Sequence, residues 1–470
     1  MEIKEENGGR VISVFMLVML NVSIMASLRN LPLVAEYGLG CIFYFLIVGI
    51  TFLVPAALVS AELATGWPKS GGIYVWVREA FGDRWGFFAI WMQWVHNVTW
   101  YPAILAFVAT TLGISFYPSL ASNKYFVLSV VLIGFWGLTL LNFLGIKTSG
   151  LFSTIGVISG TILPGIFLIF LGFGWLLLGH PSNISFSWGA LVPDFSRIEN
   201  IVFLGGLFLA FAGLEVSAGY AGEVRNPQRN YPTAILSAGL ITFFLFMLGS
   251  LAIAIVIPDA NLSLVSGLID ALYIFLKTFH MSWLVPLLGI MLVYGAIAEV
   301  NSWIIGPVKG LYMTCIHGNL PPIFQKRNKA NVPVNLLIFQ AIIVTIASFV
   351  FLLMPSLSSS YWILTALSIQ IYLIMYILMF AAAIRLRYTM PEVPRAYKIP
   401  QPHTGIWLIA TLGMCSSFFA LFLVFIPPAQ LHVGNLFFYE FFLALGLVIM
   451  SVIPLFIHAF RKPSWEISLD

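Results

Sequence analysis

The stretch Gly205 to Pro232, GGLFLAFAGLEVSAGYAGEVRNPQRNYP, decides the fold. It begins as a membrane helix, because Ile198 to Phe211 carries almost nothing but apolar residues. Gly213, Glu215, Ser217 and Gly219 then follow at a depth where hydrocarbon would surround an isolated span. A carboxylate at that depth costs about 3 kcal/mol on insertion scales unless it faces protein, water or a bound solute. Glycines beside it let the backbone open, and the freed amides and carbonyls then need a lined cavity. Arg225 and Arg229 form a positive flank, and Pro227 and Pro232 end the helix. The glycines alone fit a tightly packed helix equally well; with Glu215 among them, the stretch reads as a helix broken at a binding site.

The rest of the chain supplies the membrane setting. Of 470 residues 60% are hydrophobic and 9% charged, against about 25% charged in a soluble domain. Apolar runs long enough to cross a bilayer recur about twelve times, near 11–35, 38–62, 85–111, 124–143, 149–178, 198–222, 232–257, 281–315, 333–354, 361–386, 404–427 and 436–460. The expected class is therefore an all-α polytopic membrane protein, one transmembrane domain from end to end. The opening MEIKEENGGR is short and mixed in charge and leads into a full-length span, so no cleaved leader is expected.

Charge orients the chain. Of 22 Lys and Arg, 18 fall in one set of alternate connections, three (Lys124, Arg197, Lys277) in the other, and Arg29 lies inside the first span. Lys4, Arg10 and Lys69 belong to the larger set. The positive-inside rule puts both termini in the cytoplasm, which also requires an even number of spans. Cys41, Cys315 and Cys415 all sit in spans, so neither a structural disulfide nor a disulfide-linked subunit is expected. There is no CxxC, HExxH or phosphate-binding GxxxxGK[ST]. The sequence thus points away from an enzyme and from any cofactor or metal, and its net charge of +4 does not imply a nucleic-acid partner.

The first span, VISVFMLVMLNVSIMASLRNLPLVAEYG from residue 11, is interrupted by Asn21, Ser23 and Ser27 and broken near its end by Pro32. Two interrupted spans in corresponding halves are the best sequence pointer to a transporter site. Amide ends of half-helices there bind a carboxylate. Arg29 either snorkels to the outer surface or faces the pathway and draws in a second carboxylate. In the third span, WMQWVHNVTWYP (91–102), Gln93, His96, Asn97 and Trp100 share a helix face. His96 reads either as a substrate ligand or as an inter-helix hydrogen-bonding residue. Glu299, well inside the eighth span, is a candidate proton carrier or gate. Tyr372 and Tyr376, one turn apart, suit pathway lining or packing.

Several motifs add a more specific likeness. Glu62-Leu63-Ala64, Pro68, Gly71-Gly72, Tyr74 and Trp76 follow the second span, where Tyr74, Trp76 and Val77 suggest an amphipathic segment on the inner surface. FAGLE (211–215) is followed by Glu223, Asn226-Pro227 and Tyr231-Pro232; GAIAEVNSWIIGPVKGLYMTCIHGNLPP spans 295–322 and VPVN 332–335. These residues resemble the amino acid–polyamine–organocation (APC) family of transporters over about residues 10–460. Glu299, Trp303, Tyr372 and Tyr376 are similar to the pattern of its bacterial glutamate/γ-aminobutyrate antiporters. The resemblance implies a LeuT-type fold: spans 1–5 and 6–10 as inverted repeats (10–178 and 198–388) with two added helices (404–460). It also implies a midplane site between broken spans 1 and 6.

This chain departs from the family in places. Ser23-Ile24-Met25-Ala26-Ser27 stands where many relatives have a glycine-rich break, and Arg29 where the antiporter group has an aromatic residue. Thr154 stands near where some proton-coupled relatives have a lysine, which leaves the coupling ion open. The chain stops at Asp470, so the longer tail that covers the inner opening of some relatives is not expected.

The expected function is secondary amino acid transport by exchange, in a bacterial inner membrane, as a monomer or homodimer. The alternatives are a channel or nutrient sensor on the same scaffold, or a proton-coupled symporter of neutral or cationic amino acids. The candidate substrate-binding residues are Ser23, Met25, Ala26, Ser27, Arg29, His96, Asn97, Phe211, Ala212, Gly213, Glu215, Trp303, Tyr372 and Tyr376. Glu299 and Glu215 are the candidates for proton coupling or gating.

Overall fold

The computed structural model describes residues 13–68, 71–218, 224–258, 261–401 and 403–466. Gly219 and Glu223, and Lys4, Arg10 and Lys69, lie outside the described residues. Among the described residues, twelve helical spans are long and apolar enough to cross a membrane. They are spans 1 (Val14–Ala35), 2 (Gly38–Gly66), 3 (Asp83–Phe116), 4 (Lys124–Asn142), 5 (Phe152–Leu177) and 6 (Ile198–Ala218). Spans 7 (Arg229–Val256), 8 (Ser282–Ile316), 9 (Val334–Leu353), 10 (Leu357–Thr389), 11 (Thr404–Leu423) and 12 (Leu436–Ala459) follow. Side chains satisfy the first amides of several spans, and span 10 begins four residues before its apolar run. Ser356 Oγ accepts from Ser359 N, Asn123 Oδ1 from Tyr125 N and Asn435 Oδ1 from Phe438 N.

Spans 1 and 6 are not continuous helices. In span 1 the α-helix stops at Met25, a 3₁₀ turn covers Leu28–Asn30, and the helix resumes over Leu31–Ala35. Pro32 can neither donate to the Leu28 carbonyl nor tolerate it in a helical position; Leu31 N donates to that carbonyl instead. In span 6 the helix ends at Phe211, Ala212 is extended, and Gly213 takes φ +112°, a conformation that side-chain-bearing residues rarely adopt.

An opened backbone is tolerable only where lipid does not reach it, and packing supplies that shelter. The apolar stretch of span 6 is 89% buried and that of span 1 72%, whereas span 12 is 11% buried at the periphery. Span 3 is the axis of the bundle, packed along its length by spans 8 and 10. Spans 5 and 8 cross so closely that a Cβ on Gly160 would lie 2.3 Å from Gly295 N, a small-residue contact of the kind membrane helices use.

Two features pin the face that carries both described chain ends. Glu62 of span 2 is buried and takes a forked pair of bonds from Arg387 of span 10, Nε to Oε1 at 2.7 Å and Nη2 to Oε2. Ile399 N donates to the same carboxylate at 2.9 Å, and Arg395 Nη1 stands 3.7 Å away. The helix Ile73–Phe81, expected on the membrane surface, instead turns Ile73, Tyr74, Val75, Trp76, Val77 and Ala80 into the protein. It packs on spans 3 and 10, which offer its aromatic face a better cover than the lipid boundary.

Candidate functional site

The two breaks face a common cavity. Ile24, Met25, Ser27 and Asn30 line it from span 1, Leu209 and Ala212 from span 6, and His96 and Trp100 from span 3. Glu299 and Trp303 of span 8 and Tyr372 of span 10 complete the wall. Its free space is about 10 Å³, enough for roughly one water molecule.

Neighbouring side chains satisfy the backbone opened at the breaks. Trp303 Nε1 donates to Ile24 O at 3.0 Å, and Gly213 N donates to Tyr376 Oη at 2.8 Å. In span 1, Ala26 N donates to Val22 O and Ser27 N to Met25 O. The leading amides of the 3₁₀ turn are therefore those of Leu28 and Arg29, immediately after Ser27 and not within Ser23–Ser27.

Part of the cavity wall is a set of packed aromatic rings. The His96 ring stacks on Tyr372 at 3.8 Å and 4°, and meets Trp303 edge-on at 5.4 Å. His96 Nδ1 lies 2.7 Å from Gln93 O, so that nitrogen donates and Nε2 is left as an acceptor. Ser23 faces Ser302 across the spans at 3.4 Å.

Glu215 lies beyond Tyr372, towards the face with the chain ends, and is buried. Gln93 Nε2 donates to its Oε1 at 3.0 Å; Tyr372 Oη donates to Oε1 and Tyr376 Oη to Oε2. Three donors from spans 3 and 10 thus close the floor. A second cavity of about 20 Å³ begins on the far side of Glu215, lined also by Gly71, Gly72, Gln93, Gly306, Lys309 and Gly310. Towards the opposite face, Arg29 is 1% exposed. Its Nη1 donates to Tyr361 Oη at 2.5 Å, and its guanidinium lies 5.3 Å from the Trp100 ring centre and 5.4 Å from that of Tyr361. The Arg29 charge and the Ser27 hydroxyl both act on buried Glu299.

Seven expected residues therefore share one cavity: Met25, Ser27, His96, Ala212, Glu299, Trp303 and Tyr372. Glu215, Tyr376 and Gly213 form the network under it, while Ser23, Ala26 and Arg29 stand beside the break without lining the space. Asn97 turns back on its own helix, Nδ2 donating to Gln93 O. The Phe211 ring packs away from the site, stacked at 6.1 Å on Phe243. Residues that drew no role from sequence are Asn30, Leu209 and Tyr361. Tyr361 carried a usable signal, since it precedes Tyr372 by about three helical turns and so shares its face.

Sequence comparison agrees with this architecture. The amino acid permease family model matches residues 11–450. An uncharacterized transporter of Legionella pneumophila is 44% identical over 95% of this chain and 96% of its own. A glutamate/γ-aminobutyrate antiporter of Lactococcus lactis is 32% identical over 95% of this chain and 90% of its own. A putrescine transporter of Escherichia coli is 25% identical over 75% and 77% of the two chains. The chain belongs to the amino acid permease family: it is a multi-pass plasma-membrane transporter, not an enzyme.

Proposed function

We propose that the protein is an amino acid antiporter of the glutamate/γ-aminobutyrate type working by alternating access, with both termini in the cytoplasm. The observation that carries this reading is the small, partly polar cavity at two interrupted spans, with a separate hydrogen-bonded barrier on either side of it. In this reading spans 1–5 and 6–10 are the two repeats, and spans 11 and 12 stand outside them. The substrate α-carboxylate meets the amides of Leu28 and Arg29 at the positive end of the span 1 turn. Its ammonium meets carbonyls at the end of the span 6 half-helix, past Leu209, whose oxygen already accepts from Ala212 N. An amino acid is several times larger than the present cavity, so Trp303 and Tyr372 move as it enters.

The two carboxylates then have different tasks. Glu215 is held by three donors from spans 3 and 10, so the floor opens only when that set separates. Glu299 stands by the Ser27 hydroxyl and under the nearby Arg29 charge, so it can change partner or take up a proton as the solute changes.

The test is counterflow in liposomes preloaded with one amino acid at a time, with labelled glutamate outside. Saturable uptake that requires internal amino acid supports exchange. Uptake that ignores the internal solute and does not saturate refutes it in favour of a channel.

A further inference from the structure

The buried Arg29 presents a specific unmatched feature. One corner of its guanidinium, Nη1, is bonded to Tyr361, and its centre lies 5.3 Å from the Trp100 ring centre and 5.4 Å from that of Tyr361. Nε and Nη2 are both buried and make no hydrogen bond. These two nitrogens share one edge of the planar group, the edge that meets a carboxylate with two parallel bonds. Asn30 Oδ1, next in the chain, is likewise buried without a donor, and Asn30, Trp100 and Glu299 all line the central cavity. Unsatisfied buried donors are costly, so a solute that reaches this edge and satisfies both is strongly favoured.

We propose that the Nε/Nη2 edge of Arg29 binds the side-chain carboxylate of an acidic amino acid, which makes Arg29 the residue that sets substrate charge. The assignment rests on the exchange reading above and adds to it the residue that selects an acidic solute. Donor geometry decides the class: at this edge a carboxylate fills both N–H donors, an amide oxygen fills one, and an ammonium fills neither. Tyr361 acts as a positioning residue, since its hydroxyl fixes the rotation of the guanidinium.

Glutamate and glutamine share one shape and differ only at the group in question, so they are the probes. Equilibrium binding of each to the full chain in lipid nanodiscs is measured by calorimetry, with exchange in liposomes run in parallel. The wild type should bind glutamate at least about 10-fold more tightly than glutamine, because two hydrogen bonds between opposite charges replace one from the guanidinium to a neutral amide oxygen. Arg29→Gln should bring the ratio to about one. Arg29→Lys, which keeps the charge and loses the fork, should give an intermediate ratio, as should Tyr361→Phe; these two report even if the glutamine variant does not fold. The proposal is overturned if the ratio survives in Arg29→Gln, if both ligands weaken equally, or if the wild type does not prefer glutamate. A wild type that shows the preference but exchanges nothing across a bilayer refutes the antiport reading and leaves Arg29 as the acid-binding residue.

Discussion

Replacing Tyr376 by Phe removes one oxygen and little else. The ring keeps its edge contacts with Phe52 at 4.9 Å and Tyr372 at 5.1 Å. The lost hydroxyl accepts from Gly213 N at 2.8 Å and donates to Glu215 Oε2. Without it the Gly213 N–H is a buried donor with no partner, a loss of about 1–3 kcal/mol, and the carboxylate gives up a charge-assisted bond of about 1.5–3 kcal/mol. The cavity beside Glu215 can admit roughly one water, which restores part of the second loss. The expected net cost is about 2–4 kcal/mol, read from equilibrium unfolding in mixed micelles of rising SDS content. Glu215→Gln breaks the same bond from its other end. In the double variant the two losses overlap, and their sum should exceed the measured total by about 1–3 kcal/mol. Tyr376→Phe should also slow exchange, because the amide that shapes the span 6 break is no longer tied to the floor. Costs that add to within about 0.5 kcal/mol, or a Tyr376→Phe cost below that value, would show that the hydroxyl does not join the break to the floor.

Three further outcomes follow from the geometry. Gly213→Ala forces a Cβ to 2.8 Å from Ile24 Cγ2 and 3.1 Å from Trp303 Cζ2 at φ +112°; strain plus overpacking should cost about 2–4 kcal/mol and abolish exchange, checked by unfolding and counterflow. Glu62→Gln removes the shared carboxylate between Arg387 and Arg395 and should destabilise by about 3–5 kcal/mol, because two buried guanidinium groups lose their counter-charge; an unchanged melting temperature would refute that account. His317 is held below its usual range, first by burial and then by the Arg78 charge, with Asp83 and Glu466 acting the other way. Because the unfolded chain binds this proton more readily, stability is fully present above about pH 6.5 and declines as pH falls below it; His317→Asn should flatten that part of a melting-temperature profile.

The fold was legible because each span carries its own signal. A run such as 334–353 crosses a bilayer whatever its neighbours do, and Glu215 in an apolar run announces a sheltered position. Which polar residues meet is a property of packing between spans. Asn97 shares a helix face with Gln93, yet its amide is used by the carbonyl one turn back. Phe211 ends the half-helix beside the cavity, yet its ring finds Phe45 and Phe243 on the other side. Arg29 could have reached the surface from its place in the sequence; Trp100 and Tyr361, from two other spans, supply the faces that hold it inside. The Ile73–Phe81 helix turned inward for the same reason, since its pattern does not say whether lipid or protein covers the apolar face.

Span 10 connects these separate features. It supplies Tyr361 to Arg29 of span 1, Ser368 to Thr99 and the His96 carbonyl of span 3, Tyr372 and Tyr376 to Glu215 of span 6, and Arg387 to Glu62 of span 2. At about 1.5 Å per residue, Tyr361 and Tyr376 stand about 22 Å apart on one rod, with Ser368 near the midpoint. Little hydrophobic force acts between helices in lipid, so polar bonds of this kind carry much of the contact. A rigid tilt about the Ser368 contact would move the two ends in opposite senses, drawing Tyr361 from Arg29 while pressing Tyr376 onto Glu215, or the reverse. Both barriers could then not loosen together unless the rod bent. Alternating access would follow from the stiffness of one helix, without a separate signal passing between the gates.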